Sequence, residues 1–193
     1  MAKKDERPDK RFPRFVNDNP FRRLFLPFRR LIRPYVAAGQ AAADLGCGPG
    51  FYTIALARTV GPGGKVYAVD WDEHAIWILE KKVRKRGLRN VDARIASASD
   101  LSFIPDSSVD FVLANGLLCS MAPAKLESTV SEINRILKPE GRAYLSIATG
   151  PWSNVDRAAW EKILVGFRVE RRGKGFPAFF HRSAVVSAIR RPA

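Results

Sequence analysis

Little in this 193-residue chain offers redox or metal chemistry. It has two cysteines, Cys47 and Cys119, and two histidines, His74 and His181. Two cysteines cannot build a disulfide framework, and none of the four residues has a neighbour at metal-ligand spacing, so no metal site is expected. Long apolar runs are missing too: none approaches the ~18 uncharged residues that span a bilayer. The opening "MAKKDERPDKRF" is charged and lacks the apolar core of a secretory signal. A reducing, cytoplasmic setting is the expectation. No internal repeat or low-complexity segment is present.

Positive charge is in excess, and it is unevenly placed. The net charge is +14. Residues 1–34 carry 11 Lys/Arg against 4 Asp/Glu, residues 157–193 carry 9 against 2, and residues 35–156 carry 13 of each. A neutral middle between basic ends suits a balanced core whose flanks meet an anion, a membrane surface or RNA. A solubility device is the plainer reading of the same charge. With 46% hydrophobic residues the chain can bury an ordinary core.

Residues 1–34 read as a basic arm followed by an amphipathic helix. Phe21, Leu24, Phe25, Phe28, Leu31 and Ile32 recur at three- and four-residue steps with arginines between them. Residues 35–193 read as one domain. "AAADL", "KVYAVD", "VDARIA", "VDFVLAN" and "RAYLSIAT" are apolar strands. "FYTIALARTV", "DEHAIWILEKKVRKRGL", "APAKLESTVSEINRIL" and "NVDRAAWEKILVGF" are helices, and "SASDLSFIPDSS" is a loop. "KPEG" is a turn. "FRVERR" and "HRSAVVSAIR" are two last strands joined by "GKGFPAFF". The basic "RRGKG", residues 171–175, at that junction reads as a solvated loop, or as a substrate contact since it lies on the ligand side of such a fold. Alternation at these lengths predicts an α/β fold, a Rossmann-like, mostly parallel seven-stranded sheet with an antiparallel last strand and helices on both faces. Ligands of such sheets bind beyond the carboxyl ends of the strands, where the strand order reverses.

The sharpest local signal is "DLGCGPG", residues 44–50, between the first strand and the first helix. Glycines there permit close backbone approach by a ligand. The dinucleotide fingerprint G-x-G-x-x-G fails, because Phe51 stands where its third glycine would be, and no G-x-x-x-x-G-K-[ST] phosphate loop is present. Asp44, two residues before Gly46, would repel a pyrophosphate but suits a ligand carrying an ammonium and a sulfonium. Asp70, ending "VYAVD", is placed to take both hydroxyls of a ribose.

"DLGCGPG", "VYAVD", "LSFIPDSSVDFVLAN" and "RILKPEGRAYLS" together resemble, in order and spacing, the class I S-adenosylmethionine-dependent methyltransferases. The similarity is nearest to the subgroup of ubiquinone/menaquinone-biosynthesis C-methyltransferases, and it spans roughly residues 36 to 150. It implies S-adenosyl-L-methionine as cofactor and S-adenosyl-L-homocysteine as product. By this resemblance Asp44, Gly46 and Gly48 line the methionine end, with Cys47 and Gly50 in the same cofactor-binding turn. Asp70 binds the ribose, Trp71 packs against the adenine, and Asn115 sits near the transferring methyl. Many members carry Gly-Asp-Ala after the third strand, with the acid on the adenine amino group. This chain has "ASASD" instead. Ser97 with the Ala98 backbone is the preferred substitute, Ser99 or Asp100 the alternatives.

The resulting expectation is an enzyme that transfers a methyl group in line to a small apolar or anionic acceptor, quinone-like in one version. Proximity and orientation would supply the catalysis, and no residue is assigned as a general base. The alternatives are an RNA methyltransferase and a non-catalytic S-adenosylmethionine-binding protein.

Overall fold

A computed structural model of the chain describes residues 32–150, 153–174 and 181–188. The expected basic arm and most of the expected N-terminal helix lie outside the described residues. The seven strands are β1 (Ala41–Leu45), β2 (Lys65–Asp70), β3 (Val91–Ile95), β4 (Val109–Asn115), β5 (Leu137–Ala148), β6 (Phe167–Lys174) and β7 (His181–Ala188). The helices among the described residues are α1 (Thr53–Val60), α2 (Glu73–Lys85), α3 (Pro123–Ile136) and α4 (Arg157–Val165), preceded by a 3-10 turn at Arg33–Tyr35.

The strands form one sheet in the order β3-β2-β1-β4-β5-β7-β6. The first five run parallel, and β7 is antiparallel to both of its neighbours. This is the expected fold class. Chain order reverses between β1 and β4, so a crevice opens beyond the carboxyl ends of those two strands.

Alternate side chains of each strand go to opposite faces. Ala43, Leu45, Val112, Ala114, Leu145 and Val186 meet α3 and α4 through Ile133, Ile136, Trp160 and Ile163. On the other face, Ala42, Val66, Phe111, Leu113 and Tyr144 meet α1 and the segment Ile32–Val36. Beside them, Ala68 of β2 meets Ile76 and Leu79 of α2. Ile32 is 1% exposed, so the core begins before the 3-10 turn. Tyr35 extends that layer by stacking on Phe111, with ring centroids 6.4 Å apart.

Two expectations are corrected. "KPEG" does not separate α3 from the fifth strand: β5 begins at Leu137, and its pairing with β4 shifts register between Val109 and Phe111 to absorb the extra residues. Gly173 and Lys174, expected in the joining loop, instead extend the "FRVERR" strand as the end of β6. Because β6 is the edge strand, charged side chains and a glycine cost it little.

Candidate active site

β1 ends at Leu45, and the chain doubles back at once. The N–H groups of Gly46 and Cys47 both donate to the Val69 carbonyl near the end of β2, at 2.8 and 3.1 Å. This turn has left-handed backbone angles at Gly46, with φ 70°. A Cβ on Gly46 would also lie 2.9 Å from Leu117 Cδ1. From below, Lys82 of α2 donates to the Pro49 carbonyl at 2.9 Å.

The doubling back brings the turn against Asp70. One carboxylate oxygen of Asp70 accepts the Gly48 N–H at 2.8 Å, and the other accepts the Asp72 N–H at 2.9 Å. Two backbone donors thus fix the carboxylate, while each oxygen keeps lone-pair capacity for a further donor. Burial pushes its pKa above the ordinary aspartate value, and the two N–H bonds offset part of that rise. Asp72 then caps α2 by accepting from His74 and Ala75 N–H groups.

Beside Asp70 lies an open cleft, about 360 Å³ of empty space when the solvent at its mouth is included. Its lining is Gly46, Val69, Asp70, Trp71, Ala96, Ser97, Ala98, Leu117, Ser120 and Met121. Trp71 is 44% exposed, a flat wall facing solvent. Ser97 Oγ pairs with Ser99 Oγ at 2.7 Å. Asp100 is exposed, and its carboxylate accepts the Ser102 N–H of its own turn. Among the described residues that line the cleft there is one carboxylate and no lysine or arginine.

The structure brings five of the expected residues, Gly46, Asp70, Trp71, Ser97 and Ala98, to one cleft. Gly48 joins them through its bond to Asp70. Asp44 is placed differently. It is 3% exposed, and its carboxylate accepts the Thr53 hydroxyl at 2.6 Å, tying β1 to the start of α1. Cys47 is buried, and burial followed by the Asp44 and Asp70 carboxylates pushes its thiol pKa well up, so it is held as the unreactive thiol. Gly50 sits where a Cβ would strike the Leu79 side chain. Asn115 ends β4 with its amide oxygen accepting from Ser146 Oγ at 2.7 Å.

Sequence reasoning missed Leu117, Ser120 and Met121. Their signal was position: they follow β4 at the point where strand order reverses. Among the described residues, no group of His, Cys, Asp and Glu could hold a metal ion, and no helix is long and apolar enough to cross a membrane.

A family model described as a methyltransferase domain matches residues 42–141, from β1 into β5. The chain belongs to the methyltransferase domain family. It is of the class I, S-adenosylmethionine-dependent type that its motifs resemble, and S-adenosylmethionine is the cofactor that membership carries. Over 109 residues the methyltransferase domain is 40% identical to a demethylmenaquinone methyltransferase of Geobacillus stearothermophilus, covering 56% of this chain and 45% of that one. It is 33% identical over 119 residues to an arsenite methyltransferase of Halobacterium salinarum, covering 61% and 30%. The chain thus spans less than half the length of these curated relatives. A SAM-dependent methyltransferase from Aquifex aeolicus superposes with a TM-score of 0.72 at 27% identity, covering 90% of this chain and 96% of that one.

The cleft fits that cofactor. Asp70 offers fixed acceptors for a ribose diol, and the apolar side chains of Val69, Ala96 and Ala98 beside Trp71 offer walls for a purine.

Proposed function

We propose that this methyltransferase domain transfers a methyl group from S-adenosylmethionine to a small apolar or anionic acceptor of quinone-like type. The observation that carries the reading is the cleft itself: a carboxylate with two fixed acceptor oxygens at the end of β2, with Trp71, Ala96 and Ala98 as walls beside it. The bound cofactor supplies an electrophilic methyl on a positively charged sulfur. The chain's own work is to bind and orient. Asp70 accepts the ribose hydroxyls, Trp71 and Ala98 enclose the base, and Ser97 accepts from the adenine amino group. Gly46, Cys47, Gly48 and Gly50 form the turn beside the methionine end. Asp44 acts through Thr53 and the α1 start that it anchors. Asn115 stands at the acceptor side, held by Ser146. Catalysis then rests on holding reacting atoms near ~3 Å in line, with water excluded.

The acceptor class is supported by the relatives, whose names state small-molecule methylation, which favours this reading over RNA. The basic residues preceding Ile32 are proposed as a membrane-surface contact for an apolar acceptor, and the domain proper, expected from residue 35, as beginning at the buried Ile32 and acting in the cytoplasm. Incubation with S-adenosylmethionine and a panel of prenylated hydroquinones, small anions and RNA tests the reading. S-adenosylhomocysteine release with a hydroquinone supports it, and release with RNA alone contradicts it. Liposome flotation of the full chain against one starting at residue 32 tests the membrane contact, which equal flotation would contradict.

A further inference from the structure

The connection from β3 to β4 has no helix. Residues 96–108 cross the sheet from its edge, past β2 and β1, as irregular chain. Such a segment has no ladder of its own, so its buried backbone groups need outside partners. Leu101 and Ile104 are fully buried within it. Its first residues, Ala96 to Ala98, are a wall of the cleft.

The partners come from α3. Glu132 accepts the Leu101 N–H at 2.6 Å. Arg135 donates to the Leu101 carbonyl at 2.8 Å and the Ile104 carbonyl at 2.9 Å. It also makes two bonds to Glu132, at 2.7 and 2.8 Å, and one to Asp106, at 2.6 Å. All five guanidinium N–H groups are therefore used. Leu101 is gripped at both its N–H and its C=O by one ion pair. A lysine could not reproduce this, since it lacks the planar fork.

We propose that Glu132 and Arg135 are positioning residues for the cofactor, acting through the 96–104 segment to set the adenine-side wall of the cleft. The bond from the Asp100 N–H to the Ser97 carbonyl, at 3.0 Å, links the gripped residue's neighbour directly to that wall. Neither side chain lines the cleft. Their effect is on where Ser97 and Ala98 stand when the nucleoside arrives.

The proposal rests on the cofactor reading above, and the experiment separates the two. Arg135→Met, Arg135→Lys and Glu132→Gln in the full chain are titrated with S-adenosylhomocysteine and with adenosine at a temperature well below each variant's melting point. Amide hydrogen exchange of residues 96–104 is followed without ligand. Arg135→Met should weaken both ligands in parallel by roughly threefold to thirtyfold, the range for residues that act through another element. Arg135→Lys should fall between it and the wild type. Exchange at Ala98, Ser99 and Leu101 should quicken while α3 and β4 keep their protection. A folded Arg135→Met that binds both ligands as the wild type does, whatever its melting temperature, overturns the clamp and leaves the cofactor reading standing. Wild type that binds neither ligand overturns the cofactor reading, and the clamp with it.

Discussion

Asp70 is where backbone geometry becomes chemistry. Its carboxylate is pinned by N–H groups on both sides, so in the proposed cofactor site it would accept a ribose without rearranging. Burial makes it harder to ionise than an ordinary aspartate. The sign of the pH effect follows. Accepting two hydroxyls requires the carboxylate form, so affinity for S-adenosylhomocysteine should be full at neutral pH. It should fall as pH drops through a pKa above the usual aspartate value of 3.8. Calorimetric titrations across acid pH check this, and an Asp70→Asn variant should show a flatter profile. This residue was legible in sequence because it ends the next apolar strand after the glycine turn. Asp44 was half legible. Its acidity drew attention, but the partner that occupies it, Thr53, is separated from it by the whole turn, and nothing in the spacing announces their bond.

At the scale of elements, the strands bounded by clear punctuation were the legible ones. "VDFVLAN" has serines before it and glycine after it, and β4 has those bounds. Edges misled. Gly173 and Lys174 look like loop, yet they continue the outermost strand, β6. The Glu132–Arg135 grip was not legible, since it depends on contacts across about thirty residues that no local pattern encodes. Ile32 was legible as part of the apolar stripe of the expected N-terminal helix, and in the segment Ile32–Val36 both Ile32 and Val36 are core residues in one cluster with Phe111 and Leu113. Ile32→Ala should accordingly cost about 2–5 kcal/mol, as for a large core side chain cut to alanine. Urea denaturation measures it. A loss under about 0.5 kcal/mol, the surface-substitution level, would show that the segment is dispensable.

Across the whole molecule, a neutral nucleoside-binding core is joined to strongly basic ends. The motifs "DLGCGPG" and "VYAVD" meet where the Gly48 N–H bonds Asp70. Relatives that share this core are named for demethylmenaquinone and for arsenite, so the core alone does not set the acceptor. The central claim is that the cleft is built for an adenosyl sulfonium and its product rather than for a dinucleotide. Isothermal titration of S-adenosylhomocysteine and of NAD into the full chain and into Asp70→Ala tests it most directly. The account predicts saturable binding of S-adenosylhomocysteine by the wild type, no heat from NAD, and roughly tenfold or greater loss in Asp70→Ala, as expected when a charge-assisted hydrogen-bond acceptor is removed. NAD binding as tightly as S-adenosylhomocysteine, or an Asp70→Ala variant with unchanged affinity, would contradict it.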